Sequence, residues 1–379
     1  MFPLYRKKIK IIFFFIVIIL ASISLIHSIK QSYKISYDFH YSPAKLVSEG
    51  TNHYQYVLNE KYGKGLSDKI LYSQDGLYAH GLFIILIPFT WLEWDNAKKL
   101  WSFFNIFFCI LILFFLKKKF KITKNIFILS TCLFLMSTPF RINIGYGQQT
   151  LITFLFFLLP FIFQNKISLL LGGLSYFKYN IGYVLFFYIV TLRSINKVII
   201  SLIPCFVGWL VYSYLTNTPI IKSFFDPFLL LSYFLSLKNH LPVTIFSLFK
   251  DIGFNNYILF FMPLAMSFWV IYKLNEVKNE LLKLSIICLV SLSFASHQLH
   301  DYILLLPLLI FSLINFNFLI SKINLLVIFY FFFFLRILSF FFGFQPWDFP
   351  YGNFGYLNNS LMIITLFLNI KSLKLNYKP

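Results

Sequence analysis

The stretch KKLWSFFNIFFCILILFFLKKKFKITK, residues 98–124, decides the fold class of this chain. Its central run from Leu100 to Leu116 contains no charged residue, and it approaches the roughly 20 residues that cross the hydrocarbon core of a bilayer. Five lysines follow the run, namely Lys117, Lys118, Lys119, Lys121 and Lys124. Because lysine and arginine are retained on the cytoplasmic side of membrane helices, this end of the segment is predicted to lie inside.

The composition of the whole chain agrees with a membrane protein. Hydrophobic residues make up 59% and charged residues 12%, and the mean hydropathy is +0.76. A net charge of +20 would suit nucleic acid, but basic residues beside apolar spans are better explained by the positive-inside rule. We therefore expect a lipid bilayer and no nucleic acid as partner. The four cysteines lie within apolar runs and show neither a disulfide framework nor metal-ligand spacing.

The positions of the basic residues then indicate which apolar segments cross the membrane and in which direction. The basic residues before the first apolar run, without a small-residue cleavage site after it, predict a retained signal anchor at 11–27 rather than a cleaved signal peptide. A polar outer loop at 28–97 follows, and its apolar segment 81–92 is too short and too broken by Pro88 to cross, so it is predicted to be interfacial. Further spans are predicted at 98–116, 125–140, 150–164, 198–215, 256–272, 283–296, 302–319, 324–342 and 357–370.

One apolar stretch, between Lys166 and Arg193, is best explained as two short helices that form a hairpin with Lys178 at its tip. Counting them as two predicts an all-α polytopic protein of about 12 membrane helices, a single domain over 1–379 with both termini cytoplasmic. Only Glu276 and Glu280 of the 13 acidic residues then lie inside. The carboxylates, imidazoles and amides that a catalytic or binding site needs are predicted on the outer side, in the loops 28–97 and 216–255 and in shorter turns.

Three charged residues are the first candidates for function. Asp38 follows the first span, where a carboxylate could accept a proton from a hydroxyl, although a solvated loop acid would look the same. Lys178 and Arg336 fall within apolar segments, where a cation costs about 2.5–3.5 kcal/mol and usually has an anionic partner. A lipid phosphate is one such partner, and snorkelling to the interface is the alternative for both residues.

Polar turns supply further candidates. Residues 296–302, SHQLHDY, place two imidazoles and a carboxylate between two spans, a set suited to a sugar, a pyrophosphate or a metal. Zinc is not favoured, because no third ligand accompanies the two histidines. Glu93 and Asp95 could hold a divalent ion but are better explained as a helix start. A second polar turn contains Arg141, Asn143, Gln148 and Gln149, whose amides suit sugar hydroxyls or simply satisfy the backbone.

The chain has no Gly-rich phosphate loop and no Gly-x-Ser-x-Gly motif, so no nucleotide-sugar donor is expected.

Taken in order, these residues resemble glycosyltransferase family 87 of the GT-C superfamily, which includes polyprenyl-phosphate-mannose-dependent mannosyltransferases. The resemblance covers most of the chain, and each of its motifs is short. The matching positions are Asp38, Tyr41 and Ala44, then Tyr78, Pro88 and Ala97 to Trp101, then Gly147-Gln148, Gly172-Gly173 leading to Lys178, and His300-Asp301. The chain departs from the family pattern at Ala79-His80-Gly81, at Thr150 and after Lys178, where no proline follows.

The resemblance implies a GT-C-like bundle with interfacial helices that moves a hexose, mannose-like, from a polyprenyl-phosphate sugar to a glycolipid or glycan acceptor outside the cytoplasmic membrane. It implies inversion at the sugar, Asp38 as the base and no cofactor. Residues expected to bind the donor phosphate or substrate are Lys178, Arg336, Arg141, Gln148, His300, Asp301, Tyr41 and His80. The alternative is a transporter or flippase for a lipid-linked saccharide. A structural membrane subunit would leave Lys178 and Arg336 unexplained.

Overall fold

The computed structural model describes residues 2–34, 39–60, 78–236, 244, 256–342 and 352–376, and throughout these ranges the regular structure is helical, with no strand. The first half contains α1 Phe2–Lys34, α2 Tyr41–Ser48, α3 His53–Glu60, α4 His80–Thr90, α5 Trp94–Lys119, α6 Lys124–Met136, α7 Thr138–Gly145, α8 Thr150–Phe163, α9 Lys166–Gly172 and α10 Tyr179–Thr191. The second half contains α11 Ile195–Leu215, α12 Ile220–Ser236, α13 Asn256–Lys273, α14 Glu280–Phe294, α15 Leu306–Ile314, α16 Leu319–Phe329, α17 Leu335–Phe342 and α18 Gly352–Asn376.

Within the described ranges, four segments are long and apolar enough to cross a membrane: Ile11–Lys34, Trp94–Lys119, Ile195–Leu215 and Leu319–Leu338. A fifth crossing is possible if α6 and α7, bent by 59° relative to each other, form one broken span. Other apolar helices, such as α8 and α10, are shorter. The chain is therefore an all-helical, membrane-embedded protein, and the count of twelve spans stays a prediction.

The first helix extends beyond its predicted span. It was expected to end near residue 27, where the apolar run stops, but α1 continues to Lys34. Two polar residues of this extension are packed, since Ser28 and Ser32 are buried and the Ser32 hydroxyl donates to Ser102 Oγ of α5 at 2.8 Å, whereas Lys30 and Lys34 are exposed. A contact made 70 residues away thus prolongs the helix past the point where hydropathy would end it.

The bend between α6 and α7 has a local cause. Ser137 adopts an extended backbone, its hydroxyl accepts from Phe140 N at 3.3 Å, and Pro139 occupies the first turn of α7. A serine cap and a proline at a helix start are both typical of a new N-terminus. The bend points α7 across the end of the bundle, alongside the end of α1.

The predicted hairpin with Lys178 at its tip is present. The rising limb is α9 continued by a 3₁₀ turn at Gly173–Phe177, and α10 begins directly after Lys178. The limbs approach so closely that a Cβ on Gly182 would lie 2.5 Å from Tyr176 Cα. Glycine at this position is therefore what allows the hairpin to close.

The segment predicted at 81–92 forms α4, which packs against α2 and α11. Its contact with α11 is backbone to backbone, since a Cβ on Gly208 would come within 2.6 Å of Gly81 Cα. His80, Gly81, Leu82, Phe83 and Leu86 are buried. The second polar loop, 216–255, contributes α12, which exposes apolar residues such as Ile221 and Phe225 and buries Leu230.

The centre of the bundle is α14, in which every residue from Leu281 to Phe294 is buried. A helix buried on all sides lies within the core of a helical protein rather than on its surface. The chain leaves α14 through Ala295 and enters the 3₁₀ turn Leu299–Leu305, which leads into α15. The polar turn predicted at 296–302 is thereby fixed to the most enclosed helix of the fold.

Candidate functional site

An ion pair buried in the bundle joins Lys178 to Asp301. The ammonium Nζ lies 2.5 Å from Asp301 Oδ1, and the two residues are 4% and 1% exposed. A buried charge is tolerated only when it is paired and its remaining hydrogen-bonding capacity is used. The anionic partner that the sequence required for Lys178 is thus supplied by the protein itself.

Four further polar side chains surround this ion pair: Thr150, Asn180, His297 and His300. We name the six residues together, with Lys178 and Asp301, the Lys178 centre. Thr150 Oγ1 donates to Asp301 Oδ1 at 2.8 Å and accepts from Lys178 Nζ at 2.7 Å. The other carboxylate oxygen, Oδ2, accepts from Asn180 Nδ2 at 3.0 Å and lies 3.0 Å from His297 Nδ1. His300 Nε2 lies 3.3 Å from Lys178 Nζ. Both oxygens of the carboxylate are therefore used.

Helix ends bring these residues together. Lys178 is the tip of the hairpin, Thr150 is the first residue of α8, Asn180 lies in the first turn of α10, and Asp301 lies in the turn after α14. Asn143 of α7 donates to the carbonyl of His300 at 2.6 Å and holds that turn in place. The centre is consequently built where several helices begin, at one end of the bundle.

The first polar loop reaches the same place through His40. Gln149 Nε2 donates to Phe39 O at 2.6 Å and lies 2.9 Å from His40 Nδ1, and the His40 ring packs edge-on against Tyr78 at 4.5 Å. The Tyr78 ring in turn lies 5.8 Å from Lys178 Nζ. His40, which has the left-handed backbone angle φ 65, is thus fixed directly beside the Lys178 centre.

Burial also determines the charge of His40. Desolvation lowers its pKa to about 3, and the positive charge of Lys178 acts in the same direction. The ring is therefore neutral at physiological pH. Because an amide nitrogen can only donate, Nδ1 accepts from Gln149 and the ring proton is on Nε2.

The structure does not bring all the predicted site residues together. Lys178, His300 and Asp301 come together in the Lys178 centre. Tyr41 and His80 do not reach it, since Tyr41 Oη donates to Leu92 O at 2.8 Å and His80 Nε2 lies 2.8 Å from Ser223 O of α12. Gln148 is buried, but it is its neighbour Gln149 that contacts the loop beside the centre.

Asp38, the predicted base, lies outside the described residues. Its chain neighbour Phe39 is described, is fully buried, and offers the carbonyl that accepts from Gln149.

The two remaining predicted residues, Arg141 and Arg336, lie together in a different place. They line a cleft of about 180 Å³ formed by the end of α1, by α7 and by α17. Arg141 is half-buried and Arg336 is exposed. Neither takes part in the hydrogen bonds or ion pairs of the Lys178 centre.

One buried carboxylate was not singled out from the sequence. Asp226 of α12 is fully buried and accepts from Asn52 Nδ2 at 2.6 Å and from Gln55 Nε2 at 2.5 Å. These bonds tie α12 to α3. Its sequence context, Phe-Phe-Asp-Pro-Phe, carried no motif, so only the fold reveals this contact.

Across the described parts of the chain, no group of three or more His, Cys, Asp or Glu residues could hold a metal ion. The Lys178 centre has one carboxylate and two imidazoles, and its ammonium occupies the position beside the carboxylate that a cation would take. No family model, no curated protein and no solved structure matches this chain.

Proposed function

We propose that this protein is a membrane glycosyltransferase that moves a hexose, mannose-like, from a polyprenyl-phosphate sugar to a glycolipid or glycan acceptor. The observation that supports this proposal is that polar segments from different parts of the chain come together. Polar segments far apart in the sequence, the loop that holds His40, the turn at Gln149, the hairpin tip Lys178 and the turn at Asp301, meet at one end of the bundle. These segments contain or adjoin four of the five motifs on which the resemblance to family 87 rests, the other being the segment from Tyr78 to Trp101.

The reaction requires a base, an acceptor and a leaving group in line. Asp38 takes the proton of the acceptor hydroxyl, the hydroxyl oxygen attacks the anomeric carbon, and the bond from that carbon to the phosphate oxygen breaks with inversion. The electron pair leaves with the polyprenyl phosphate. A carboxylate of ordinary pKa is a modest base, so stabilisation of the phosphate and alignment of both substrates supply much of the rate.

The Lys178 centre would contribute to this reaction mainly by position. The Lys178 ammonium has three N–H donors and already contacts Asp301, Thr150 and His300, so it cannot bond a phosphate without giving up a partner. His300 is the more accessible member, with 12% of its side chain exposed. We assign to His300 a contact with the donor and to the Lys178–Asp301 pair the task of holding that imidazole in place.

We further propose twelve membrane segments with both termini in the cytoplasm and the Lys178 centre facing the exterior of the cell membrane. The helices reverse direction in a way that fits, since α5 begins beside the end of α1 and finishes in Lys117, Lys118 and Lys119. The hairpin with Lys178 at its tip supplies the two short segments of that count.

The test uses full-length protein in nanodiscs with labelled polyprenyl-phosphate hexoses and candidate glycolipid acceptors. Asp38→Asn keeps the size of the side chain and removes the base, so transfer should fall by about two to four orders of magnitude while the protein still binds the donor. Asp95→Asn is the matched control, because the Asp95 side chain is 69% exposed and forms an ion pair with its helix neighbour Lys98.

Two outcomes would contradict the proposal. Near-normal transfer by Asp38→Asn would remove Asp38 from the reaction. Movement of lipid-linked sugar between leaflets by the wild type, with no glycosidic bond formed, would identify a flippase instead.

A further inference from the structure

The cleft between α1, α7 and α17 is lined by two arginine side chains. Arg141 projects from α7 and Arg336 from α17, and both line the same space of about 180 Å³ beside His27, Ser28 and Gln31 of α1. Two guanidinium groups that share a cleft repel each other, so this arrangement favours a bound anion.

The positive charge of the cleft is not neutralised by the described part of the protein. No described Asp or Glu lines the cleft, and neither arginine forms an ion pair with a described residue. The contrast with Lys178 is direct, since the charge of that ammonium is matched by Asp301 at 2.5 Å. Among the described residues, the two arginines of the cleft therefore have no carboxylate partner, whereas the ammonium of the Lys178 centre has one.

Two of the helices that form the cleft expose apolar side chains. On α1, Ile23 and Ile26 are 58% and 54% exposed, and on α17, Ile337 and Phe341 are 43% and 73% exposed. In a membrane-embedded bundle such side chains face lipid. An anion that approaches the cleft along these lipid-facing helices would itself carry an acyl or prenyl chain.

We infer that this cleft binds the phosphate group of a lipid, at a site separate from the Lys178 centre. Guanidinium groups suit phosphate because their planar donors bond two oxygens at once, and basic pockets between membrane helices accept lipid headgroups in the same way. The cleft is coupled to the centre through α7, since Asn143, two residues after Arg141, donates to His300 O. Binding here needs no sugar transfer, so this inference and the proposed function can fail separately.

The experiment measures lipid binding directly. Full-length protein in phosphatidylcholine nanodiscs is titrated with radiolabelled phosphatidic acid and, in parallel, with polyprenyl phosphate. Each of Arg141→Gln and Arg336→Gln should raise the half-saturating mole fraction about tenfold, and the double variant should raise it further, as expected when a charge-assisted hydrogen bond is lost. Arg193→Gln is the control, because Arg193 is an exposed arginine that donates to Tyr272 and lies outside the cleft.

Further measurements identify which lipid carries the bound phosphate group and control for misfolding of the variants. Preference for polyprenyl phosphate would identify the carrier lipid, and equal binding of both lipids would identify a general headgroup site; either supports the inference. Arg141→Lys keeps the charge but loses the planar pair of donors, so its half-saturating mole fraction should lie between those of the wild type and Arg141→Gln. The inference is overturned if the double variant binds phosphatidic acid as the wild type does, or if inorganic phosphate displaces the lipid at equal concentration.

Discussion

At the scale of single residues, Lys178 and Asp301 depend on each other. Each is almost completely buried, and each would be an uncompensated charge without its partner. Such a pair contributes little relative to apolar residues of the same shape, but removal of one member costs about 3–5 kcal/mol. The pair therefore acts as a constraint that sets the position of the hairpin tip relative to the turn after α14.

We accordingly expect Lys178→Met to lower the stability of the protein in detergent by about 3–5 kcal/mol, because it leaves the Asp301 carboxylate buried and unpaired. Adding Asp301→Asn should recover part of this loss, since a neutral amide can still bond Thr150 and Asn180. The measurement is a double-mutant cycle on the unfolding midpoint. Lys98→Met, which breaks a pair whose Asp95 carboxylate is 69% exposed, should cost less than about 1 kcal/mol. Equal effects of Lys98→Met and Lys178→Met would show that burial of the pair is unimportant.

At the scale of elements, the hairpin is the feature on which the site depends. Its limbs pack through glycine, its tip is Lys178, and Asn180 at the start of the returning limb donates to Asp301. A hairpin that cannot close would displace both residues from the carboxylate.

This closure can be tested at Gly182. In Gly182→Ala the new methyl group would lie 2.5 Å from Tyr176 Cα and 2.6 Å from Ser175 O, both backbone atoms that cannot turn aside. We expect a loss of about 1–3 kcal/mol, measured as a fall in the unfolding midpoint in detergent. Gly145→Ala is the matched control, because its methyl group would meet nothing nearer than Gln31 Cβ at 3.5 Å. A Gly182→Ala protein as stable as Gly145→Ala would mean that the limbs are not in close contact.

At the scale of the whole molecule, the distribution of charge favours one orientation of the protein in the membrane. Lysines gather at the end of α5 and again after α13, whereas the Lys178 centre and the cleft with Arg141 lie at the end of the bundle where α1 finishes. The positive-inside rule assigns the lysine-rich end to the cytoplasm.

Single cysteines test this orientation. Placed in a background without the four native cysteines, a cysteine at exposed Thr51 should react with an impermeant thiol reagent in intact cells. Cysteines at Lys118 and Lys278, which are also exposed on the protein, should react only after the membrane is opened. If all three positions react alike in intact cells, the orientation is wrong.

The sequence by itself determined the class of the protein and the position of most helices. Hydropathy is a local property, so the apolar run ending at Lys117 and the hairpin between Lys166 and Arg193 were both predicted from their own residues. The sequence also identified Lys178 and the His300-Asp301 turn as candidates, because a cation in an apolar segment requires a partner. It could not fix the end of α1, which depends on a contact with α5.

Only the tertiary structure decided which charges meet. Lys178 and Asp301 are 123 residues apart, and either could have paired with other groups. The fold gives Lys178 a carboxylate, places His40 and Gln149 beside that pair, and leaves Arg141 and Arg336 in a cleft of their own. The physical reason is that electrostatic pairing depends on distance in space, which helix packing sets and local composition does not.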